Sequence, residues 1–285
     1  MLHHFLLLLL LPLLPLLTAT ASVSSQQIHQ CSNSTTFCQQ SEKCCQPKYS
    51  PTGWGCAVPG VPNPDHLSFP PSPVTSCCTP GPKLPPSTTL KNLLVIADSV
   101  SIGYTSTAAN YVSDIALLQH GPYDISDGGA GSTAVGEICL NNFLVTQAQV
   151  PVQWDAILFN FGLHDMQTDA ASKATYKRQL TNITTRLNAT KAKLIYALTT
   201  PFMPAFTSGN TIVPELNQIA MDVMKPFSNI EILDLYTLVT NHCGTNYTTC
   251  DWCRVEPCSY HYNSLGETAQ GLAVGKKFRQ VLNEM

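Results

Sequence analysis

From Lys91 to the C-terminus, short apolar runs alternate with stretches of helical spacing, a pattern that few architectures accept. The runs are Leu93 to Ile96, Ile115 to Gln119, Ala156 to Phe161, Leu194 to Leu198 and Ile230 to Leu233. Between them, Tyr176, Leu180, Ile183 and Leu187 recur at helical spacing within Ala174 to Leu187, and Ser264 to Leu282 reads as a closing amphipathic helix. Four consecutive apolar residues, as in Leu93 to Ile96, fit a strand covered on both faces, which is the condition of a parallel sheet. Alternation over about 195 residues predicts one doubly wound α/β domain across residues 91–285. A three-layer αβα sandwich with a mostly parallel five-stranded sheet is the expected form.

The chain before this domain is different in kind. Phe5 to Leu17 holds ten leucines in 13 residues, too few to span a bilayer, and Ala19-Thr20-Ala21 follows with the small-x-small pattern of a signal-peptidase cut. Residues 1–21 are therefore expected to be a cleaved signal peptide, and the mature protein to be secreted and extracellular. Residues 22–80 carry seven cysteines (Cys31, Cys38, Cys44, Cys45, Cys56, Cys77, Cys78), many prolines and little apolar periodicity, as a small disulfide-stapled module would. Zinc binding is the poorer reading, since His29 and His66 lack a repeated C-x-x-C ladder. Proline-rich residues 81–90 read as a stiff linker.

Seven cysteines before the linker and five after it cannot all pair within their own halves. If every cysteine pairs, at least one bridge must cross. Cys139 is the candidate, because Cys243, Cys250, Cys253 and Cys258 are close enough in sequence to pair locally. Four N-x-S/T sequons, at Asn33, Asn182, Asn188 and Asn246, agree with passage through an oxidising, glycan-adding pathway. With 15 basic and 18 acidic residues and no run of either sign, neither nucleic acid nor an anionic membrane is expected as partner, and no membrane span is expected.

The chemistry falls where the apolar runs end. Leu93 to Ile96 breaks into Ala97-Asp98-Ser99, with Gly103 four residues on, as a strand-to-helix junction would. Such a junction holds the Ser99 hydroxyl at the carboxyl edge of the sheet, where open α/β folds place their sites; the plainer alternative is that Asp98 or Ser99 only caps a helix. Ser126 to Thr133 is dense in glycine, which lets backbone N–H groups approach a substrate oxygen, or simply makes a flexible turn. Asn160-Phe161-Gly162-Leu163-His164-Asp165 ends the third run with an adjustable side-chain donor, although a lone histidine there is more often structural. His261, in the loop before the last helix, can swing onto a serine as general base.

Serine, glycine, a side-chain donor and histidine, in that order on strand-end loops, resemble the four blocks of the SGNH (GDSL-type) hydrolase superfamily, over roughly Asn92 to Leu282. Ala97-Asp98-Ser99 matches the Gly-Asp-Ser block except at its first place. Gly128 to Thr133 matches the second block and puts the family's oxyanion glycine on Gly131. Gly162-Leu163-His164-Asp165 matches Gly-x-Asn-Asp with His164 in place of asparagine. His261 matches the catalytic histidine, but the acid usually two or three residues before it is replaced by Ser259 and Cys258.

The resemblance implies a flavodoxin-like sheet and a secreted serine esterase that needs no metal or organic cofactor. Ser99 would be the nucleophile, His261 its base, and the N–H groups of Ser99 and Gly131 with the ring of His164 the oxyanion hole. The Nδ1–H of His261 could be taken by the Cys258 carbonyl, Asp251 or Glu256. A small-molecule or glycan ester, with O-deacetylation as the reaction, is the implied substrate. The alternative is an inactive protein of the same fold that binds an acylated or glycan ligand. Cys44-Cys45, Gly53 to Cys56 and Cys77-Cys78 resemble part of a granulin repeat, so the module could serve an extracellular partner.

Overall fold

The computed structural model describes residues 28–30, 37–39, 43–45, 55–58, 76–78, 81–122, 129–202, 209–244 and 249–284. The signal-peptide reading, most of the cysteine module with its granulin likeness, and the sequons at Asn33 and Asn246 lie outside them. Five short strands precede the main sheet: β1 (Ile28–Gln30), β2 (Phe37–Gln39), β3 (Lys43–Cys45), β4 (Gly55–Val58) and β5 (Ser76–Cys78). β1 and β2 form an antiparallel pair, and β3, β4 and β5 an antiparallel three-stranded sheet.

The main sheet comprises β6 (Lys91–Ile96), β7 (Ala116–His120), β8 (Ala156–Phe159), β9 (Lys193–Ala197) and β10 (Ile230–Leu233). Their spatial order is β10-β9-β8-β6-β7, and all neighbours are parallel. This is the flavodoxin-like doubly wound order, with its switch point between β6 and β8. Two loops that the sequence singles out, after β6 and after β8, leave the sheet at that point.

The helices are α1 (Ser99–Val112), α2 (Thr133–Leu144), α3 (Ala170–Ala189), α4 (Gly209–Met224), α5 (Leu235–Cys243) and α6 (Ser264–Asn283). Side chains alternate along each central strand, so one sheet carries two cores. Leu94, Ile96, Ile157, Phe159, Leu194 and Tyr196 face α2, α3 and α4, whereas Leu93, Val95, Leu158 and Ile195 face α1, α5 and α6. Burial on both faces is why these strands read as unbroken apolar runs; each large side chain contributes about 1.5–3 kcal/mol.

Boundaries shift for local reasons. The third strand ends at Phe159 rather than Phe161, because the buried Asn160 amide turns to Ala197 O at 2.7 Å and Thr199 Oγ1 at 3.0 Å. The first long helix starts at Ala170 rather than Ala174, where Asp169 accepts from the Ser172 N–H at 2.9 Å. Cys78–Cys139 crosses from β5 to α2, and Cys243–Cys250 and Cys253–Cys258 close locally, as their short separations allow. The proline-rich segment lies along the α/β unit: Gly81 and Pro82 are buried, Pro82 O accepts from the Gln147 N–H at 2.9 Å, and the Gln119 side chain bonds both N and O of Leu84. No described helix is long and apolar enough to cross a membrane.

Candidate active site

Ser99 opens α1 at the carboxyl end of β6. Asp98 does cap that helix, its Oδ1 accepting from the Val100 N–H at 3.0 Å, so capping and presentation of Ser99 occur together. Ser99 Oγ lies 2.9 Å from Nε2 of His261, a residue 162 positions away that the loop before α6 delivers. Asn263 holds this loop: its Oδ1 caps α6 at the Leu265 and Gly266 N–H groups, and its Nδ2 donates to Asp251 O and Cys253 O. A bridge between Cys253 and Tyr262 and an Arg254 N–H to His261 O bond of 3.2 Å complete the support.

The glycine loop closes over the turn that carries Ser99. Gly129 has φ of 57°, and a Cβ there would stand 2.4 Å from Ala97 O, so only glycine fits; the Ala130 N–H donates to the same carbonyl at 2.8 Å. Gly131, with φ of 66°, follows immediately. The N–H groups of Ser99 and Gly131 donate to nothing among the described residues, as donors kept for a ligand would. Ser126, Asp127 and Gly128, the earlier part of this loop, lie outside them.

His164 is exposed on the turn after β8, and its ring makes no hydrogen bond among the described residues. Its charge nevertheless reaches the site. Burial pushes the Asp98 carboxyl up, and His164, then the Val100 amide and His261, pull it back. The Asp98 Oδ2 atom is buried with no partner among the described residues. Tyr176 and Tyr196 donate to Phe161 O at 2.9 and 3.0 Å and brace the chain just before Gly162 and His164.

Asp251 Oδ1 lies 2.6 Å from His242 Nε2, and the His242 ring stacks on Trp252 at 3.8 Å. Glu256 is exposed and bonded to nothing among the described residues. Cys258 is fully buried, with its sulfur bound to Cys253. Cys250 lies near His242 and Asp251, but its sulfur is bound to Cys243, so the three do not make a metal site. Of the sequons within reach, Asn182 is exposed with its amide 2.5 Å from Glu137 Oε1, and Asn188 is half-buried, its Oδ1 accepting from Asn229.

Two supporting roles escaped the sequence reading. Asp165 accepts from the Thr133 N–H at 3.1 Å and from the Thr133 hydroxyl at 2.6 Å, capping α2 in place of Ser132, whose side chain makes no cap bond. It thereby fixes the turn that carries Gly131. His120 donates from Nδ1 to Pro122 O at 2.9 Å and presents Nε2 to Ser101 Oγ at 2.7 Å, tying β7 to the first turn of α1; burial lowers its pKa to about 4 and keeps it neutral. Neither pairing follows from local spacing, since the partners lie 32 and 19 residues apart.

Asp165 also carries a pH signature. Although the residue is half-buried, its carboxyl is desolvated, and burial outweighs the Thr133 bonds to raise its pKa from 3.8 to about 6. A raised carboxyl favours the folded state below its unfolded pKa and loses that contribution as pH rises through the folded value. Stability is expected to fall between about pH 4 and 6, by about 3 kcal/mol at most, and Asp165→Asn to flatten that slope in denaturant titrations at a series of pH values.

No protein-family model and no curated protein sequence matches the chain. Solved structures do. A mutant of an acetyl-xylooligosaccharide esterase from Geobacillus Stearmophilus aligns with a TM-score of 0.51 at 10% identity, over 68% of this chain and 96% of its own. A carbohydrate esterase family 3 structure from Talaromyces cellulolyticus aligns at 0.50 and 12% identity, over 69% and 100%. A member of the lipolytic protein G-D-S-L family from Veillonella parvula aligns at 0.50 and 17% identity, over 67% and 99%. At these identities the likeness is one of fold.

Proposed function

We propose that the protein is a secreted serine esterase, and the observation that carries this reading is the 2.9 Å contact between Ser99 Oγ and His261 Nε2 at the sheet's switch point. Ser99 Oγ attacks the ester carbonyl as His261 Nε2 takes its proton; the Oγ–C bond forms and the carbonyl electron pair moves onto oxygen. The N–H groups of Ser99 and Gly131 and the ring of His164 hold that oxyanion. Collapse breaks the C–O bond to the alcohol, which leaves with the proton from His261. Water then repeats both steps, releases the carboxylic acid and restores Ser99.

Glycan O-deacetylation is the preferred form of the reaction. Two fold relatives are a sugar-chain acetyl esterase and a carbohydrate esterase, and an extracellular address, with cleavage after the leader and glycans at the four sequons, agrees with it. The domain division at residues 22–80, 81–90 and 91–285 belongs to the same reading, as does an extracellular partner for the cysteine module. The engagement of Asp251 by His242 favours a second reading, an inactive fold that binds an acylated ligand. Hydrolysis of an aryl acetate by the full chain, lost in Ser99→Ala, supports the first; equal rates for both refute it.

His164 gives a further expectation. His164→Asn keeps a side-chain donor and should retain most activity, whereas His164→Ala should lower turnover on the order of 10²-fold. Steady-state kinetics on the same ester decide it, and an alanine variant at wild-type turnover removes His164 from the oxyanion hole.

A further inference from the structure

A cleft beside the Ser99–His261 pair is lined by Ser99, Ile102, Gly103, Arg254, His261 and Glu267, among others. The cleft is thus walled by His261 and not by Gly131 or His164. In acyl transfer the oxyanion points to its donors, and the leaving oxygen sits by the histidine that protonates it. If the esterase reading holds, this cleft receives the alcohol.

Two charges line it without neutralising each other. Arg254 is exposed, yet its guanidinium makes no ion pair or hydrogen bond among the described residues. It is nonetheless held in place at its backbone, by the bond to His261 O and by the five-residue span of the Cys253–Cys258 bridge. The Glu267 side chain likewise has no partner among the described residues. It lies against Gly103, where a Cβ would stand 2.6 Å from its Oε1. An unpaired guanidinium offers a fork of donors suited to a carboxylate, and a carboxylate offers acceptors suited to hydroxyls.

We infer that Arg254 is a specificity residue, selecting esters whose alcohol carries a carboxylate beside hydroxyl groups, an acidic sugar, with Glu267 taking hydroxyl hydrogens. This rests on the esterase reading for its direction, since it assigns the cleft to the alcohol. The charge of Arg254 acts through solvent at an exposed position, so the preference is moderate and falls with added salt.

The test uses the full chain and two matched acetate esters, 4-acetoxybenzoate and its neutral counterpart 4-acetoxybenzamide, each rate divided by that ester's rate with hydroxide. The wild-type ratio of kcat/KM, charged over neutral, is expected to be about 10 and to fall to about 1 in Arg254→Gln, with Arg254→Lys between them. A ratio that does not change between wild type and Arg254→Gln overturns the proposal while leaving ester hydrolysis standing. If neither ester is turned over, the esterase reading fails by itself. Calorimetric titration of Ser99→Ala with the same two compounds then decides the role of Arg254. About tenfold tighter binding of the charged ester, lost in Ser99→Ala/Arg254→Gln, supports it, and equal binding overturns it.

Discussion

Replacing His261 by alanine is expected to lower ester turnover about 10⁴-fold or more while leaving the thermal transition within a few degrees of wild type. The imidazole is half-buried, on a loop that Asn263 and the Cys253–Tyr262 bridge hold without it. Its loss removes the group facing Ser99 Oγ together with an edge-on ring contact to Tyr260 at 4.6 Å. Ser99→Ala should fall as far, and the double variant little further, because residues that act as one unit are not additive. Initial rates on an aryl acetate, paired with thermal melts, separate loss of chemistry from loss of structure.

The second large effect concerns stability. Cys78 and Cys139 close a loop of 61 residues, and the chain-entropy account assigns such a bridge about 4 kcal/mol. Changing both to alanine should lower the unfolding free energy by up to that amount, measured by denaturant titration. The packing of Gly81 and Pro82 and the Gln119–Leu84 bonds remain in the variant, so the segment stays near the sheet edge even without the bridge. A drop below 1 kcal/mol would mean that those contacts already hold the module's end in place.

The sheet was legible because its central strands are buried on both faces, so Leu93 to Ile96 and Ala156 to Phe159 carry no polar residue to blur them. The extent of α1 was not, since its serines, threonines and alanines give little periodic contrast beyond the helix start at Asp98-Ser99. Ser99 and His261 could be picked out because each stands at a strand-end loop in a telling order. The roles of Asp165 and His120 could not, since their partners are brought to them by the fold. Asp251 illustrates the converse: near His261 in sequence, it is turned by the loop toward His242 and Trp252.

The central claim is that Ser99 is an activated nucleophile, and covalent labelling tests it most directly. Treating the full chain with a serine-directed fluorophosphonate and mapping the adduct by mass spectrometry should place one label on Ser99, suppressed in His261→Ala. A label distributed over other serines, or a Ser99 adduct equally strong without His261, would contradict the claim.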